Sequence, residues 1–312
     1  MKILIVGAGA IGGYFGGRLL EKGGDVTFLV REKRQQQLRE TGLVVESIHG
    51  DMHFPEPKTI LAGENVEPYD AILVSTKSYH LDGAIESIQP YVGNETMVLP
   101  LLNGIAHLDV LTETFGAEKV IGGLCFIETT MTQDGKIVQT SPIHDLVFGE
   151  RNGEKTERIS QLEEAFNGTK ASFRLSEKIE QEMWHKYLFI TSMSGITSLF
   201  RSPIGPIRDQ KHGWKTIELL VHETATIMEK IGAPLASGAV KATLGKMKEI
   251  GHAMKSSLQR DMEKSLLTEG DHLFGYLLEN AEQSGLAAPI LSAIYANVKI
   301  YESGLGTGRN QR

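Results

Sequence analysis

The sequence predicts an α/β domain of parallel strands and helices, followed by a domain made only of helices. Short apolar runs alternate with helix-length segments in the first 120 residues, a pattern typical of βαβ units. Strand-like pieces then dominate up to about residue 175, and from Ser176 onward every periodic segment has helical length. The chain is therefore predicted to divide into residues 1–174 and residues 175–312.

Four short apolar runs are predicted to form the parallel sheet, with helices on both of its faces. The first predicted helix, Ile11–Lys22, has helical length and ends at Gly23-Gly24. The four strands are Ile3–Val6, Asp25–Val30, Ala71–Ser75 and Met97–Leu101.

Further strands are expected to form an antiparallel extension of this sheet. The turn Gln133-Asp134-Gly135-Lys136 carries the composition of a hairpin turn between two of them. These strands are Leu124–Thr132, Lys136–Thr140, Asp145–Gly149 and Ser172–Leu175.

The second half is predicted to be helical throughout. Ser176 is a candidate N-cap for a helix that runs to about Phe200 and stops before Pro203. Glycines follow the later helices at positions suited to C-caps, and Gly304 is one of them. The last residues, 304–312, are polar and glycine-rich and are expected to fray. The later helices are Gly213–Ile231, Leu235–Ile250, Ser257–Ser265, Asp271–Ser284 and Pro289–Glu302.

Composition and charge narrow the function classes. The 312 residues are 41% hydrophobic with 34 glycines, which is globular composition and excludes a disordered chain. The net charge of −7, without a long basic run, argues against nucleic-acid and anionic-membrane binding. No apolar run reaches the roughly 18 residues that span a bilayer. The single Cys125 excludes an internal disulfide, and no signal peptide is recognisable, so we expect a cytoplasmic location.

A glycine-rich loop joins the first strand to the first helix. Its sequence is Gly7-Ala8-Gly9-Ala10-Ile11-Gly12. In such a loop the first glycine allows a tight turn, the second lets the backbone approach a pyrophosphate, and the third lets the helix pack close to the strand. The helix N-terminus then presents N–H groups and partial positive charge to the phosphates. This context predicts a Rossmann-like dinucleotide-binding domain.

The end of the second strand indicates which dinucleotide fits. Arg31 stands nineteen residues after Gly12, where an acidic residue would instead bind the ribose 2′-OH of NAD. A guanidinium suits a 2′-phosphate, which favours NADP. Glu32 is adjacent and could serve a ribose diol, so NAD stays an open alternative.

Four polar residues further along the chain are candidates for the reaction site. Lys77 and Asn103 each follow a predicted parallel strand, at the edge where open α/β sheets bind ligands. Lys186 lies in a charge-poor helix, where burial would lower its pKa towards that of a usable general acid, unless the side chain snorkels to the surface. Glu269 precedes a predicted helix and could equally be a helix-terminal carboxylate.

Several other chemistries lack their sequence patterns. The chain has no CxxC, HExxH, P-loop or GxSxG motif. His49 and His53 flank Gly50 in extended sequence, so a helical metal pair is not expected. His185 is interpreted as a satisfied, partly buried histidine, and Cys125 as a core residue.

Over almost its whole length the sequence resembles the ketopantoate reductases (2-dehydropantoate 2-reductases). The motifs that carry the resemblance occur in the family's order, and the family shares the two-domain layout. They are Lys2–Gly12, Val30-Arg31, Ser75-Thr76-Lys77, Asn103-Gly104, Trp184-His185-Lys186, Ser256–Asp261 and Thr268–Asp271.

The resemblance implies a role for each matching residue. Arg31 would hold the 2′-phosphate, and Lys77 would lie near the adenosine end or the mouth of the active site. Asn103 would lie between nicotinamide and substrate, and Lys186 would protonate the carbonyl oxygen. Ser257 would bind the substrate carboxylate, and Glu269 a substrate hydroxyl.

This chain departs from the family's pattern at two positions. Many members carry asparagines four and eight residues after the lysine, where this chain has Ile190 and Ser194. These two residues would line the substrate site on the same helix face as Lys186 and offer fewer hydrogen bonds.

The function predicted from these features is NADPH-dependent reduction of a 2-oxo acid. The first expected substrate is 2-dehydropantoate, which would give (R)-pantoate in pantothenate biosynthesis. One alternative is an NAD-dependent D-2-hydroxyacid dehydrogenase for bulky branched or aromatic 2-oxo acids. Another is a non-catalytic dinucleotide sensor. The expected partner is the small-molecule substrate, with no metal, nucleic acid or membrane, and a homodimer is the candidate assembly.

Overall fold

The computed structural model describes residues 1–307, which form two compact units. The first unit comprises Met1–Leu102 and His107–Glu180. The second comprises the short segment Asn103–Ala106 and the described chain from Gln181 onward. No helix within residues 1–307 combines the length and the apolar character needed to cross a bilayer.

The first unit contains ten strands and five helices. Its strands are β1 (Lys2–Val6), β2 (Asp25–Leu29), β3 (Leu43–Ser47), β4 (Met52–Phe54), β5 (Thr59–Ile60), β6 (Tyr69–Val74), β7 (Val92–Pro100), β8 (Gly122–Met131), β9 (Ile137–Gly149) and β10 (Ser172–Leu175). Its helices are α1 (Ala10–Glu21), α2 (Glu32–Thr41), α3 (Leu81–Ile88), α4 (His107–Phe115) and α5 (Glu157–Phe166).

Five strands form a parallel sheet in the order β5-β2-β1-β6-β7. The four predicted parallel strands are all present, whereas β5 has only two residues and gives no recognisable sequence pattern. Because β1 lies between β2 and β6 in parallel register, the carboxyl ends of these three strands meet at one edge. That edge is where an open α/β sheet binds its ligands.

The remaining strands form a second sheet, in which β8 and β9 are the antiparallel hairpin that the sequence predicts. In the turn, the N–H of Thr132 donates to the carbonyl of Lys136 at 2.9 Å. An isolated parallel bridge joins Val98 of β7 to Val120, two residues before β8 begins. The second sheet also contains parallel pairs, because β9 pairs in parallel with both β3 and β10.

Helix α1 packs on both sheets through its glycines. A Cβ at Gly16 would lie 2.6 Å from the ring of Phe28 in the first sheet. A Cβ at Gly17 would lie 3.2 Å from Met52 in the second sheet. The absence of a side chain at Gly16 lets α1 approach Phe28 closely, and this contact helps to fix the axis of α1. Cys125 is buried in the same core, as predicted.

The second unit is helical, as predicted. Its first helix, α6 (Ile179–Phe200), begins two residues before Gln181. The others are α7 (Ile204–Asp209), α8 (Lys211–Lys230), α9 (Ala239–Glu249), α10 (Ser257–Glu263), a π-helix (Asp271–Gly275), α11 (Tyr276–Gln283) and α12 (Pro289–Thr307).

Two predicted helix ends are wrong. Ser176 does not cap α6, because its Oγ accepts the N–H of Lys178 in a turn before the helix begins. Gly304 does not end α12, which continues to Thr307. The last five residues of the segment expected to fray, 308–312, lie outside the described residues.

Candidate functional site

The glycine loop of the first unit forms a tight turn after β1. Gly7 has φ +91°, a left-handed conformation that favours glycine, and its N–H donates to Leu29 O at 2.9 Å. A Cβ at Gly12 would lie 2.8 Å from Ile5 Cγ2 and would also overlap Gly7 O and Ser75 Oγ. A Cβ at Gly9 would meet no atom within 4 Å. The first and third glycines are therefore required by the fold, whereas Gly9 borders open space.

The N-terminus of α1 lacks the groups that usually cap a helix. Gly9 is the N-cap and provides no side chain, and the first turn contains no acidic residue. The first backbone bond of the helix runs from Gly13 N to Gly9 O at 2.8 Å. Helix geometry thus leaves the N–H groups of Ala10, Ile11 and Gly12 without acceptors in the helix. Together with the helix dipole, they suit the phosphates of a dinucleotide.

Two side chains that follow β6 contact this turn. Ser75 Oγ donates to Val6 O at 2.9 Å and approaches Gly7 O at 3.2 Å. Thr76 packs against Gly7, and its buried Oγ1 has no hydrogen-bond partner among residues 1–307. Sequence reasoning gave neither residue a role, although their position directly after a parallel strand was an available signal.

Positive charge collects at the same edge of the parallel sheet. Arg31 is exposed and is the N-cap of α2, directly after β2, and Glu32 is the exposed first residue of that helix. Lys77 is half-buried and precedes a short 3₁₀ turn, Ser78–His80, after β6. Burial, and secondly the positive charge of Arg31, lower the pKa of His80. This arrangement suits an anionic group.

Arg34 is a residue that the sequence analysis missed. Its Nε donates to Ala8 O in the glycine loop at 3.0 Å, and its Nη1 donates to Gln37 Oε1 at 2.6 Å. The buried Nη2 has no partner in the described part of the chain, and burial lowers the pKa of this guanidinium. Arg34 lies three residues after Arg31, in the first turn of α2. The uncapped helix, the open Gly9 and the orphaned donors make this half of the molecule fit a dinucleotide.

In the second unit, Lys186 is buried within α6, with 7% of its surface exposed. It therefore does not snorkel to the surface. The neighbouring Tyr187 is fully buried, and its hydroxyl donates to Leu273 O at 2.9 Å and approaches His272 O at 3.3 Å. Burial raises the pKa of Tyr187 well above its usual value, so this hydroxyl stays a neutral donor. Tyr187 thus ties the lysine's turn of α6 to the π-helix.

Ile190 and Ser194 follow Lys186 at intervals of four residues, which places the three on one face of α6. Ile190 is half-buried, and Ser194 is buried with 3% exposed. Among the three, the isoleucine presents only apolar atoms and the serine a short hydroxyl. The structure thus keeps on one helix face the residues that the sequence groups together.

Glu269 is buried, and residues on either side of it in the sequence anchor its segment to α12. On one side, Thr268 Oγ1 donates to Glu302 Oε1 at 2.6 Å. On the other, Lys299 Nζ donates to Asp271 Oδ1 at 2.9 Å. Lys299 also pairs with Glu302 at 2.8 Å, so the four side chains form a continuous series of bonds from Thr268 to Asp271, the residues on either side of Glu269. We call this network, Thr268, Asp271, Lys299 and Glu302, the α12 clamp.

Hydrogen bonds and opposite charge stabilise the ionised Asp271 of the α12 clamp. Burial alone would raise the pKa of Asp271, but hydrogen bonds from Tyr295 and Lys299 outweigh it and lower the pKa overall. Tyr295 donates to Asp271 Oδ1 at 2.7 Å, and burial together with this carboxylate raises the pKa of Tyr295 to about 12. The segment that carries Glu269 is therefore fixed by charge-assisted bonds.

Asn103 and Glu269 are brought near each other by His272. The His272 ring donates to the backbone of Asn103, and its pKa responds to the charge of Glu269. Burial is the largest influence and lowers the pKa of His272. Gly104, at φ +83°, packs against the same ring. The sequence gave no signal for His272, because Asn103 and Gly104, which contact its ring, are more than 160 residues away.

Ser257 is the exposed first residue of α10. The preceding Ser256 is buried, and its Oγ accepts the N–H of Gln259 at 3.1 Å as the helix cap. Ser256 Oγ also lies 2.7 Å from Thr197 Oγ1, three residues beyond Ser194 on α6. Ser256 therefore has a structural role, and Ser257 follows it at the start of α10.

The other histidines singled out in the sequence have structural partners. His185 Nε2 accepts the N–H of Ala236 at 3.0 Å, which confirms that this histidine is satisfied. His49 stacks on His144 with ring centroids 3.6 Å apart, and His53 Nε2 lies 3.2 Å from Thr41 O.

Comparison with known proteins extends these observations. The family model of ketopantoate reductase PanE/ApbA matches residues 3–153, and the model of its C-terminal domain matches residues 178–302. The uncharacterized oxidoreductase YkpB of Bacillus subtilis (strain 168) is 47% identical over 303 residues, covering 97% of this chain and 99% of that protein.

Solved structures share the fold over nearly the full length. The 2-dehydropantoate 2-reductase of Geobacter metallireducens GS-15 is 28% identical with a TM-score of 0.86, covering 96% of this chain and 99% of that one. A D-mandelate dehydrogenase, solved with NADH and anilino(oxo)acetate, is 21% identical with a TM-score of 0.87, covering 98% and 100%. The predicted fold class is confirmed, and the chain belongs to the ketopantoate reductase PanE/ApbA family of oxidoreductases.

Proposed function

We propose that this protein reduces a 2-oxo acid to the 2-hydroxy acid with NADPH, and that 2-dehydropantoate is the first substrate to test. The observation that carries the proposal is Lys186, an ionisable amine buried in α6 of a chain from this family. Burying the amine of a lysine costs desolvation free energy. A role as proton donor to a substrate carbonyl would explain why an amine lies at this buried position.

Bound NADPH would supply the hydride that reduces C2 of the acid. Lys186 donates the proton to the carbonyl oxygen and stabilises the developing alkoxide. Ser257 binds the substrate carboxylate, Glu269 accepts a substrate hydroxyl, and Asn103 orients the reacting groups. The α12 clamp keeps Glu269 in place during this step.

The preference for NADPH rests on the charge at the edge of the first sheet. Arg31 and Lys77 offer cationic groups, and His80 a hydrogen-bonding group, to a 2′-phosphate. Gly7, Ala8, Gly9, Ala10, Ile11 and Gly12 would hold the pyrophosphate, with the glycine turn supported by Ser75. Glu32 is the competing group, and it would favour the ribose diol of NADH.

The face of α6 that carries Lys186 favours substrates with apolar side chains over substrates with hydroxylated ones. Ile190 gives no hydrogen bond one turn beyond Lys186, and Ser194, one turn further along the same face, offers a short hydroxyl. We expect 2-dehydropantoate to be accepted, and its deoxy analogue 2-oxo-3-methylbutanoate to be reduced with a kcat/KM within about tenfold. Steady-state rates at saturating NADPH measure both. A preference of about a thousandfold or more for 2-dehydropantoate would contradict this assignment.

A second candidate is an NADH-dependent D-2-hydroxyacid dehydrogenase for branched or aromatic acids. Ile190 favours it, and the fold is shared with the D-mandelate dehydrogenase that was solved with NADH. A screen of 2-oxo acids against NADPH and NADH separates the two functions. Cofactor binding without oxidation by any acid would instead indicate a non-catalytic dinucleotide sensor. The homodimer remains a proposal, which sedimentation equilibrium tests directly.

A further inference from the structure

The imidazole of His272 contacts two segments that the proposed reaction uses. The ring donates to the backbone of Asn103 and lies in the field of the Glu269 carboxylate. The ring also packs on Gly104, whose added Cβ would lie 2.8 Å from Cδ2 and 3.1 Å from Nε2. His272 is therefore enclosed by the loop Asn103–Ala106 and the segment that carries Glu269.

The backbone around His272 is also unusual. Asp271–Gly275 forms a π-helix, a rare geometry that is frequent at functional sites. The Tyr187 hydroxyl donates to the carbonyl of Leu273 and approaches that of His272. The loop Asn103–Ala106 therefore holds the side chain of His272, and Tyr187, next to Lys186, holds its main chain.

We propose that His272 is a positioning residue that holds the Asn103–Ala106 loop at a fixed place relative to Glu269 and Lys186. This inference rests on the proposed function, because it assigns Asn103 and Glu269 to one reaction. Gly104 is needed for the arrangement, since only glycine combines φ +83° with the close approach of the ring. Burial lowers the pKa of His272 and keeps the ring neutral, a form with one N–H donor.

Loss of the His272 donor would displace reacting groups without removing any of them. A shift of about 1 Å in a positioned group can lower a rate by about a hundredfold. We therefore expect His272→Leu to lower kcat for the 2-oxo acid by about 10- to 100-fold. The Kd for NADPH should stay within about twofold, because the glycine loop belongs to the other unit.

The decisive comparison uses donors of similar size. His272→Asn and His272→Gln each retain an amide N–H, and at least one of them should restore kcat to within about fivefold of wild type. His222→Leu removes an exposed histidine of the same unit and should leave kcat unchanged. Equal losses in the Leu, Asn and Gln variants would show that packing alone is involved and would overturn the proposal, as would full activity of His272→Leu.

Hydrogen exchange of the 103–106 amides separates this proposal from the proposed function. His272→Leu should accelerate exchange in that loop, and the rescuing amide variant should restore its protection. This result would support the positioning role even if wild-type protein reduced none of the 2-oxo acids. Unchanged protection in His272→Leu would overturn the positioning role even if the enzyme were an active reductase.

Discussion

The two units build their candidate sites from different materials. The dinucleotide site of the first unit consists mainly of backbone, in one six-residue loop whose glycines set the turn and the approach of a helix. The site of the second unit consists of side chains from distant segments, joined by bonds such as Thr268–Glu302 and His272–Asn103. A backbone site can be recognised from short spacings, whereas a side-chain site becomes visible only when the chain has folded.

This difference also predicts how each site responds to substitution. At Gly12 of the glycine loop an added methyl group would overlap a backbone oxygen of the same turn, so the effect is large. In the side-chain networks each bond contributes about 0.5–3 kcal/mol, and the neighbouring bonds remain. Substitutions in those networks should therefore cause graded losses of activity. They should affect the binding and turnover of the substrate rather than the binding of the cofactor.

The largest effect on cofactor binding is expected from Gly12→Ala. Its Cβ would overlap Gly7 O and Ser75 Oγ, so the start of α1 must move away from β1. We expect the Kd for NADPH to rise at least about a hundredfold, measured by nicotinamide fluorescence. Gly83→Ala is the matched control, since its Cβ enters open space on α3 and should not weaken binding. A Kd within fivefold of wild type would show that the glycine turn does not set the phosphate site.

Arg31→Ala sharpens the comparison within the first unit. Loss of one charge-assisted contact to the 2′-phosphate costs about 1.5–3 kcal/mol, so the Kd for NADPH should rise roughly 10- to 100-fold. The Kd for NADH should change little, because that cofactor lacks the phosphate. Arg39→Ala removes an exposed arginine of the same helix and serves as the control. Equal weakening of both cofactors would exclude Arg31 from phosphate recognition, and NADH preference in wild type would favour Glu32.

A smaller effect is expected in the α12 clamp. Thr268→Val preserves shape but removes the bond to Glu302, so the segment of Glu269 loses one of its two anchors. We expect KM for the 2-oxo acid to rise about fivefold, roughly 1 kcal/mol, with the Kd for NADPH unchanged. Thr226→Val, on the exposed face of α8, is the control for the same chemical change. An unchanged KM would mean that Asp271 alone holds Glu269.

Much of the fold follows from the sequence because local patterns determine it. The four parallel strands have buried faces that produce continuous apolar runs, and the β8–β9 hairpin has a turn of typical composition. Helix α2 gives no such signal, since Gln35 and Leu38 are its only buried residues. Strand β5 is too short to be periodic.

More of the dinucleotide site than of the side-chain site could be predicted from the sequence, again because local patterns determine only the former. The glycine spacing and Arg31 identify the dinucleotide site, whereas Arg34 is recognised only from its bond to Ala8 O. Glu269 came from a resemblance in sequence, but its clamp depends on α12, thirty residues later. His272 is paired with Asn103 across most of the chain, and no spacing rule reaches that far.

The central claim is a division of labour, in which the first unit binds the cofactor and Lys186 of the second supplies the proton. Lys186→Ala tests it most directly, with kcat for 2-oxo acid reduction and the Kd for NADPH measured on the same preparation. The account predicts a kcat about 10²–10⁴-fold lower and an unchanged Kd, while Lys230→Ala on the surface of α8 matches wild type. A Lys186→Ala variant with near wild-type kcat would contradict the account.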